Sequence, residues 1–330
     1  MLISRTPFRV SLFGGGTDLK EWLNNDNKGK VFSLAINKYC YITLRSLNEF
    51  FDYRYAITYH KREHVSTYKK IEHPVVRNLI KLYGKNLRLE IEHKSDLPAR
   101  SGIGSSSSFS VGLLNSFLSK QKQITKKTLS KKAINLEQNI LKESVGIQDQ
   151  IRAAYGGIGF INMNKNNFYV DDLKKNCKPA KKIEESLLLV YSNLSRDASK
   201  IESVKIKNLK NNKKTIDSMN FIYEIACEAE KRIISKNFNL KEMGDLLSEQ
   251  WQYKKKLSNN ITNSNIDEIY SSIIRDGAYG GKLLGAGSGG FMAFIVKKSY
   301  QKKIIEKAKK LKVLNVNVDY SGAKIFNSSV

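Results

Sequence analysis

The sequence has few cysteines, and their spacing excludes the usual roles of clustered thiols. Among 330 residues there are three, Cys40, Cys177 and Cys227, and each lies far from the others in the chain. Zinc and redox motifs need closely spaced thiols, and a disulfide framework needs an even number of them. We therefore expect reduced cysteines and a cytoplasmic protein.

Long apolar segments are also missing. No apolar run approaches the roughly 20 residues of a membrane-spanning helix. The N-terminus has no basic segment followed by an apolar one, which is the pattern of a signal peptide. We expect neither a membrane partner nor a secretory leader.

Acidic residues are scarce relative to basic ones. The chain has 57 Lys and Arg residues against 31 Asp and Glu, which gives a formal net charge of +26. Three explanations are a nucleic-acid partner, an anionic substrate and compositional drift in a chain rich in lysine and asparagine. No basic run is interleaved with aromatic residues as in nucleic-acid modules. We therefore favour drift together with anionic substrates, and no nucleic acid.

The segment from Leu97 to Leu118 is the strongest functional signal, although it matches neither GxxxxGK[ST] nor the GxGxxG dinucleotide turn. It contains Gly102, Gly104 and four serines, and an apolar run with near-helical spacing follows. Glycines permit a close backbone approach to a ligand. A helix N-terminus offers unpaired N–H groups to an anion. The segment predicts a phosphate cradle that leads into a buried helix.

Two other glycine-rich segments adjoin predicted strands. Gly14 to Asp18 follows the alternating strand that contains Phe8, Val10 and Leu12, and it can present both backbone and carboxylate to a polar ligand. Lys282 to Gly290 precedes a predicted strand at Phe291 to Val296. A tight hairpin turn is the alternative for the first of these segments.

Strands and helices alternate in both halves of the chain, which predicts an α+β fold. Separate strands are expected at 31–36 and 39–45, and long helices at about 200–236, 239–257 and 265–276. The chain is long enough for two domains. A Lys- and Asn-rich stretch at 164–185 is the best boundary, so we predict domains at 1–185 and 186–330.

His60 to His64 matches HxxEH, which is an inverted zinc-protease signature. That chemistry needs both histidines on one face of a helix. The flanking residues instead favour strands, so we interpret this segment as a solvated polar turn.

Three segments, Pro7 to Asp18, Pro98 to Ser108 and Leu284 to Gly290, together resemble the motifs of the GHMP kinases. This family includes galactokinase, homoserine kinase, mevalonate kinase and phosphomevalonate kinase. The resemblance implies an N-terminal domain like ribosomal protein S5 domain 2 and a ferredoxin-like C-terminal domain. It also implies ATP and Mg²⁺ as cofactors, with ATP and a sugar meeting between the domains.

The resemblance implies residue roles as well. Asp149, in GIQDQ, matches the family's catalytic acid position, and Arg9 matches its basic partner. Ser106 and Glu137 match the pair that contacts Mg²⁺, and a serine one position away is the alternative to Ser106. The implied ATP-binding residues are Arg100, Ser101, Gly102, Ile103, Gly104, Ser105, Ser106 and Ser107, and the implied substrate-binding residues are Gly15, Gly16, Thr17, Asp18, Arg196, Gly287 and Ser288.

Within the family, the segments TPFRVSLFGGGTDL, GIQDQIRAAYGGI and YSNLSRDAS resemble kinases of D-glycero-D-manno-heptose 7-phosphate. Such kinases place a phosphate from ATP on the anomeric C1 hydroxyl. The 1,7-bisphosphate product suits nucleotide-activated heptose synthesis for lipopolysaccharide, S-layer or capsule. A basic site must then hold the C7 phosphate, with Arg196, Arg100 and Lys282 as candidates.

Other readings stay open. The segment Gly14 to Asp18 departs from the Gly-Glu-His-Thr-Asp of galactokinases, which favours a heptose or fucokinase-like enzyme. A galactokinase- or mevalonate-type kinase, a nucleic-acid-binding protein and a non-catalytic sugar sensor are the rivals. The sensor needs neither Arg9 nor Asp149. The resemblance leaves the protein a monomer or a homodimer.

Overall fold

A computed structural model describes residues 1–119, 124–193, 198–258, 260–308 and 311–327, with the backbone alone for 198–202, 210 and 211. These residues form two sheets with helices packed against them. The strands, in chain order, are β1 (Leu2–Phe13), β2 (Gly29–Ser46), β3 (Tyr55–Thr58), β4 (Arg62–Val65), β5 (Leu89–Ser95), β6 (Ile158–Met163), β7 (Phe168–Asp172), β8 (Leu187–Tyr191), β9 (Ala278–Leu283), β10 (Phe291–Val296), β11 (Lys312–Leu314) and β12 (Lys324–Asn327).

The helices confirm the predicted α+β class. Short 3₁₀ or π turns occur at Tyr68–Lys70, Ile80–Gly84 and Leu136–Ile140. The long helix expected at about 200–236 is two helices, because Asn212 interrupts it and caps the second with its side chain. The helices are α1 (Lys20–Leu23), α2 (Pro74–Leu79), α3 (Ser105–Leu118), α4 (Lys126–Asn135), α5 (Gln148–Tyr155), α6 (Lys178–Ser186), α7 (Ala198–Asn211), α8 (Lys213–Ile234), α9 (Leu240–Lys255), α10 (Ser264–Arg275) and α11 (Lys298–Lys307).

The first sheet is organised around the antiparallel pair β1 and β2. Its order is β12-β1-β2-β5-β3-β4, and β6 and β7 extend it from the other end of β2. Phe8, Val10 and Leu12 of β1 are fully buried, as their alternation predicts. Arg9 lies between Phe8 and Val10 on the same strand, so buried residues on both sides fix its position.

The prediction of separate strands at 31–36 and 39–45 is wrong, because β2 is one continuous strand. Pro7 pairs with Tyr39 and Phe8 pairs with Ile36, so Asn37 and Lys38 form a bulge. The Asn37 N–H donates to the Asn317 carbonyl at 2.9 Å. The Asn37 N–H, which the bulge removes from the strand pairing, therefore has its hydrogen-bond acceptor in the C-terminal segment.

The second sheet has the order β11-β8-β10-β9, and all its neighbouring strands are antiparallel. In chain order, β8 is followed by the four helices α7 to α10, then by β9 and β10, and then by α11 and β11. This arrangement is the split βαβ of ferredoxin-like folds. Helix α9 packs against β9, and the buried side chains of β10 line the core beneath it.

The C-terminal segment crosses back to the first sheet. Strand β12 pairs with β1, with Leu2 opposite Asn327 and Arg5 opposite Lys324, and Val318 bridges Ile36. The domain limits at 1–185 and 186–330 stay a prediction. The end of the chain nevertheless packs with the N-terminal half, because β12 pairs with the edge of β1 that would otherwise be exposed.

Helix α3 is the predicted buried helix after the glycine-rich segment, and its position on β1 is unusually close. A Cβ on Gly112 would lie 2.7 Å from Thr6 Oγ1. The Ser108 hydroxyl donates to the Pro7 carbonyl at 2.9 Å. Small and hydroxyl-bearing residues therefore hold the N-terminal end of α3 beside Arg9.

The segment from His60 to His64 is a polar turn only at its start, because Arg62 to His64 belong to β4 and Glu63 is buried. His60 is exposed in the turn, and the His64 ring stacks on Tyr53 with centroids 4.2 Å apart. The two imidazoles do not share a helix face. Within the described ranges, no helix is both long and apolar enough to cross a membrane.

Another histidine, His73, makes the stability of the folded protein depend on pH. It is half-buried against the rings of Tyr59 and Phe109. Burial above all, and then the neighbouring His93, lower the pKa of His73 to about 4. The imidazole is therefore neutral in the folded protein at pH values where the unfolded chain binds a proton.

We predict that His73→Phe flattens the pH dependence of stability between pH 6.5 and 4. In wild type, the depressed folded-state pKa removes about 2–3 kcal/mol as the pH falls through that window, because only the unfolded state takes up the proton. Urea unfolding at several pH values measures this difference. His60→Phe is the exposed control, and an equal flattening in both variants contradicts the assignment.

Candidate active site

A cavity of about 780 Å³ lies where the first and second sheets meet. Its walls come from the glycine-rich segments and from the loop between α4 and α5. Six basic residues and three acidic ones line it among the described residues. Such a basic cavity suits an anionic ligand. The charged lining residues are Arg9, Asp18, Arg100, Lys142, Glu143, Asp149, Lys205, Lys254 and Lys282.

The N-terminus of α3 opens into this cavity. Gly104 precedes the helix with φ of 74°, and no side chain caps it. Gly102 has φ of 83°, so the backbone turns twice through the left-handed region within three residues. The uncapped N–H groups of Ser105, Ser106 and Ser107 therefore form the first turn beside the cavity.

Arg9 and Asp149 form a bidentate ion pair at the base of this turn. Arg9 Nε donates to Asp149 Oδ1, and Nη2 donates to Oδ2, both at 2.7 Å. Arg9 Nη1 donates to the Gly102 carbonyl at 2.5 Å. A Cβ on Gly104 would lie 3.1 Å from Arg9 Cγ and 3.3 Å from Asp149 Oδ2. The loop glycine thus leaves room for the pair directly beneath the helix N-terminus.

The glycine-rich segment before β10 packs on the segment before α3. A Cβ on Gly102 would lie 2.9 Å from the Leu284 carbonyl oxygen, and one on Gly285 would lie 2.7 Å from Gly102 Cα. The Phe291 N–H donates to the Ser101 carbonyl at 2.9 Å. The two sheets are therefore joined through backbone contacts that only glycine permits at these positions.

Asp18 ties the segment after β1 to the start of α5. Its Oδ1 accepts from the Gly16 N–H and from Gln148 Nε2, both at 3.0 Å, and its Oδ2 accepts from the Gln148 N–H at 3.2 Å. A Cβ on Gly146 would lie 1.9 Å from Oδ2. Burial raises the pKa of Asp18, and Asp149 raises it further. Carboxylate lone pairs remain for a ligand hydroxyl.

Glu137 lies behind the first turn of α3, in the π turn that follows α4. Its Oε2 accepts from Ser107 Oγ at 2.9 Å and from Gln150 Nε2. Its Oε1 is buried and makes no hydrogen bond within 3.5 Å among the described residues, although the Ser110 hydroxyl lies close enough to lower the pKa of the carboxyl. Burial raises the pKa of Glu137 to about 7. An orphaned carboxylate oxygen beside a hydroxyl fits a hard cation that keeps most of its waters.

Helix α9, which packs on the second sheet, hydrogen-bonds to the glycine-rich segments that follow β1 and β9. Gln250 accepts the Gly14 N–H at 2.6 Å and donates to the Leu12 carbonyl at 2.8 Å. One helical turn later, Lys254 Nζ donates to the Leu283 and Gly285 carbonyls, both at 2.7 Å. The sequence analysis missed both residues, because nothing in a single sequence distinguishes them from other polar residues of an amphipathic helix.

The structure brings most of the predicted site residues to the cavity. Five do not line it, because their side chains are engaged elsewhere or buried. Thr17 binds the Gly14 and Lys30 carbonyls, Ser288 the Asn260 carbonyl, and Ser101 the Pro98 carbonyl. Glu137 is buried behind α3 against Ser107 and Gln150, and Ile103 is fully buried. Arg196 lies outside the described residues. The predicted residues that line the cavity are Arg9, Gly15, Gly16, Asp18, Arg100, Gly102, Gly104, Ser105, Ser106, Ser107, Asp149 and Gly287.

The serine that contacts Glu137 differs by one position from the serine of the predicted Mg²⁺-contacting pair. Ser106 lines the cavity, whereas Ser107 is the serine that contacts Glu137. Adjacent helical residues point about 100° apart, so only one of them can face Glu137. The role itself stays a prediction.

We predict that Gln250→Leu destabilises the protein by about 2 kcal/mol, because the buried Gly14 N–H loses its acceptor. The Leu12 carbonyl keeps its bond from Lys282 Nζ. Urea unfolding measures the loss. Gln252→Leu, on the exposed side of the same helix, should change stability by less than about 0.5 kcal/mol. Equal effects of the two substitutions contradict the bracing role.

Comparison with known proteins agrees with this geometry. A family model described as GHMP kinases N terminal domain matches residues 66–157. A second, described as GHMP kinases C terminal, matches residues 233–313. The two matches together span more than half of the 330 residues, and they divide between the two sheets.

Individual relatives agree with the family match. The chain is 28% identical over 321 residues to a D-glycero-alpha-D-manno-heptose 7-phosphate kinase of Campylobacter jejuni, with 93% of each chain covered. It is 26% identical over 248 residues to a bifunctional fucokinase/GDP-fucose pyrophosphorylase of Arabidopsis thaliana, but spans 22% of that protein.

Solved structures share the fold. A D-glycero-D-manno-heptose 1-phosphate kinase from Bacteriodes thetaiotaomicron superposes with a TM-score of 0.79 at 22% identity, with 100% of each chain covered. The mevalonate kinase of Methanococcus jannaschii gives 0.73 at 20% identity, with 97% of this chain and 98% of that chain covered. The expected two-domain fold is confirmed, and the chain belongs to the GHMP kinase family of ATP-dependent phosphotransferases.

Proposed function

We propose that the protein transfers the γ-phosphoryl group of ATP to the anomeric C1 hydroxyl of D-glycero-D-manno-heptose 7-phosphate. The carrying observation is the bidentate pair of Arg9 and Asp149, which lies between the uncapped N-terminus of α3 and the Asp18 segment. The similarity to a heptose 7-phosphate kinase over 93% of the chain supports the choice of acceptor.

The first turn of α3 is the place for the ATP phosphates. Its N–H groups and the positive end of the helix dipole favour negative charge without a lysine in the loop. Gly102 and Gly104 keep the backbone free of side chains where a phosphate must approach. Arg100 lines the same side of the cavity and adds a cation.

Asp149 and Arg9 have complementary roles at the reacting atoms. A carboxylate held at both oxygens by one guanidinium is fixed in orientation. It accepts the proton of the sugar hydroxyl, or orients that hydroxyl, as the bond to phosphorus forms. Arg9 is anchored by Gly102 at its third nitrogen. It therefore stabilises negative charge on the transferred group without having to reorganise.

Glu137 and Ser107 are the residues that would hold Mg²⁺. Bound there, the ion would neutralise phosphate charge and align the phosphates for transfer. The protein would contribute the Glu137 Oε1, which makes no hydrogen bond within 3.5 Å to the described residues, and the Ser107 hydroxyl. Gln150 fixes the other carboxylate oxygen, so the orientation of Glu137 does not depend on the ion.

The acceptor sugar would lie against the segment after β1. Gly15 and Gly16 line the cavity without side chains, and Asp18 and Gln148 present oxygen and nitrogen atoms at its wall. Hydroxyl groups of a sugar can hydrogen-bond to both kinds of atom. ATP is the phosphate donor, so we expect the reaction to take place in the cytoplasm.

A panel of acceptors tests the proposal. With MgATP, we expect ADP release with heptose 7-phosphate and little with heptose 1-phosphate, mannose 6-phosphate, fucose, galactose or mevalonate. Turnover on fucose would favour the fucokinase reading that the Arabidopsis relative suggests. Turnover restricted to heptose 1-phosphate would overturn the proposed acceptor position.

We predict that Asp149→Asn lowers kcat by about 10²- to 10⁴-fold, while ATP affinity changes little because Asp149 faces the acceptor. Steady-state ADP release and ATP binding by calorimetry separate the two effects. Asp171→Asn, exposed on β7, is the control and should retain full activity. Near-normal turnover of Asp149→Asn would contradict its assigned role.

We predict that Glu137→Gln raises the half-saturating Mg²⁺ concentration by about 10- to 100-fold. Because burial raises the pKa of Glu137 to about 7, wild type should also need more Mg²⁺ as the pH falls below 7 and the carboxyl gains a proton. The variant should lose this pH dependence. Glu249→Gln, exposed on α9, should behave as wild type. A pH dependence that persists in Glu137→Gln excludes Glu137 as its source.

A further inference from the structure

Lys282 is a buried lysine in the wall of the cavity. Its residue is 3% exposed, on β9, and its Nζ donates one hydrogen bond at 3.0 Å, to the Leu12 carbonyl. No carboxylate of the described residues lies within 4.0 Å of this Nζ. A buried ammonium group is normally paired, because its desolvation is costly. Nothing in the phosphoryl-transfer chemistry derived above uses this residue.

A second buried lysine lies next to it. Lys205 comes from α7 and is 7% exposed. A Cβ on Gly15 would lie 4.0 Å from Lys282 Nζ, and one on Gly16 would lie 3.5 Å from Lys205 Nζ. The two ammonium groups therefore flank consecutive glycines of the segment that would hold the acceptor, and both residues line the cavity.

The local charge balance is positive. Arg9 on β1, Lys205 on α7 and Asp18 after β1 are the charged groups that act on Lys282. Burial above all, and then Arg9 and Lys205, lower the pKa of Lys282 to about 7 against the opposing effect of Asp18. Arg9 is already occupied by Asp149. Among the described groups that act on Lys282, two are positive and one is negative, which favours an anion beside its amine.

We propose that Lys282 and Lys205 bind the phosphate group that the acceptor sugar already carries, so that they select a phosphomonoester over a neutral sugar. This inference rests on the proposed function. It identifies the two residues that would bind the phosphate already present on the acceptor sugar. The reacting hydroxyl lies at Asp149, and the phosphate lies across Gly15 and Gly16 from it.

The ATP phosphates are the competing ligand for these lysines. The uncapped turn of α3 lies beside Gly104, on the Arg9 and Asp149 side of the cavity. Lys282 lies beside Gly15, and Lys205 lies beside Gly16, which is one residue further along the chain. Two cations at the acceptor segment suit a dianion there better than a third contact to ATP.

Binding of a dianion should also change the protonation of Lys282. With a pKa of about 7, the amine is largely neutral at pH 8 in the free enzyme. A phosphate beside it favours the charged form. Binding of the sugar phosphate at pH 8 therefore takes up a proton, and the KM for the sugar phosphate rises as the pH increases above 7.

The test compares acceptors with and without the phosphate. We expect wild type to prefer heptose 7-phosphate over heptose in kcat/KM, and Lys282→Met to reduce that preference by about 100-fold through KM. Lys205→Met should reduce it by about 10-fold, since it is the less buried lysine. The KM for ATP should change less than about threefold in both. Lys207→Met, exposed on α7, should match wild type.

The outcomes separate this inference from the proposed function. A wild type that turns over neither heptose refutes the proposed function. A wild type that prefers heptose 7-phosphate, together with variants that keep this preference or lose ATP affinity instead, overturns the inference alone. If Lys282→Met does not fold, Lys205→Met decides. Calorimetry at pH 8 in two buffers of different ionisation enthalpy should show proton uptake in wild type, and none in Lys282→Met.

Discussion

The bidentate ion pair between Arg9 and Asp149 is the constraint around which the site is arranged. Arg9 projects from a strand whose neighbouring residues are fully buried, so its position is fixed before any ligand arrives. It binds both oxygens of Asp149 and the Gly102 carbonyl. The pair therefore couples the first sheet, the start of α5 and the turn before α3, which are the three parts that phosphoryl transfer must align.

The second sheet holds the site from the other side. Gln250 and Lys254, one helical turn apart on α9, bind backbone atoms of the two glycine-rich segments. The segments themselves touch through Gly102 and Gly285. Lys282 beside Gly15 and Lys205 beside Gly16 place positive charge at the wall of this cavity.

Much of this arrangement could be predicted from the sequence, because local patterns determine it. The glycines before α3, its apolar spacing and the alternation in β1 each have a local physical cause. The bulge at Asn37 could not be predicted, because the Asn317 carbonyl that stabilises it comes from the far end of the chain. The same holds for Gln250 and for the buried state of Lys205, which depend on tertiary contacts. The choice between Ser106 and Ser107 depended on the rotation of α3, which sequence spacing alone does not determine.

The most direct test of the account is the ³¹P NMR spectrum of the product formed from heptose 7-phosphate and ATP. Under the proposed function, the Arg9–Asp149 pair would activate one hydroxyl, at the end of the sugar away from its phosphate. The account predicts one new sugar phosphorus signal that couples to the anomeric proton, while the C7 phosphate signal is retained. A new phosphate on any other carbon, or ADP formed without a new sugar phosphate, would contradict it.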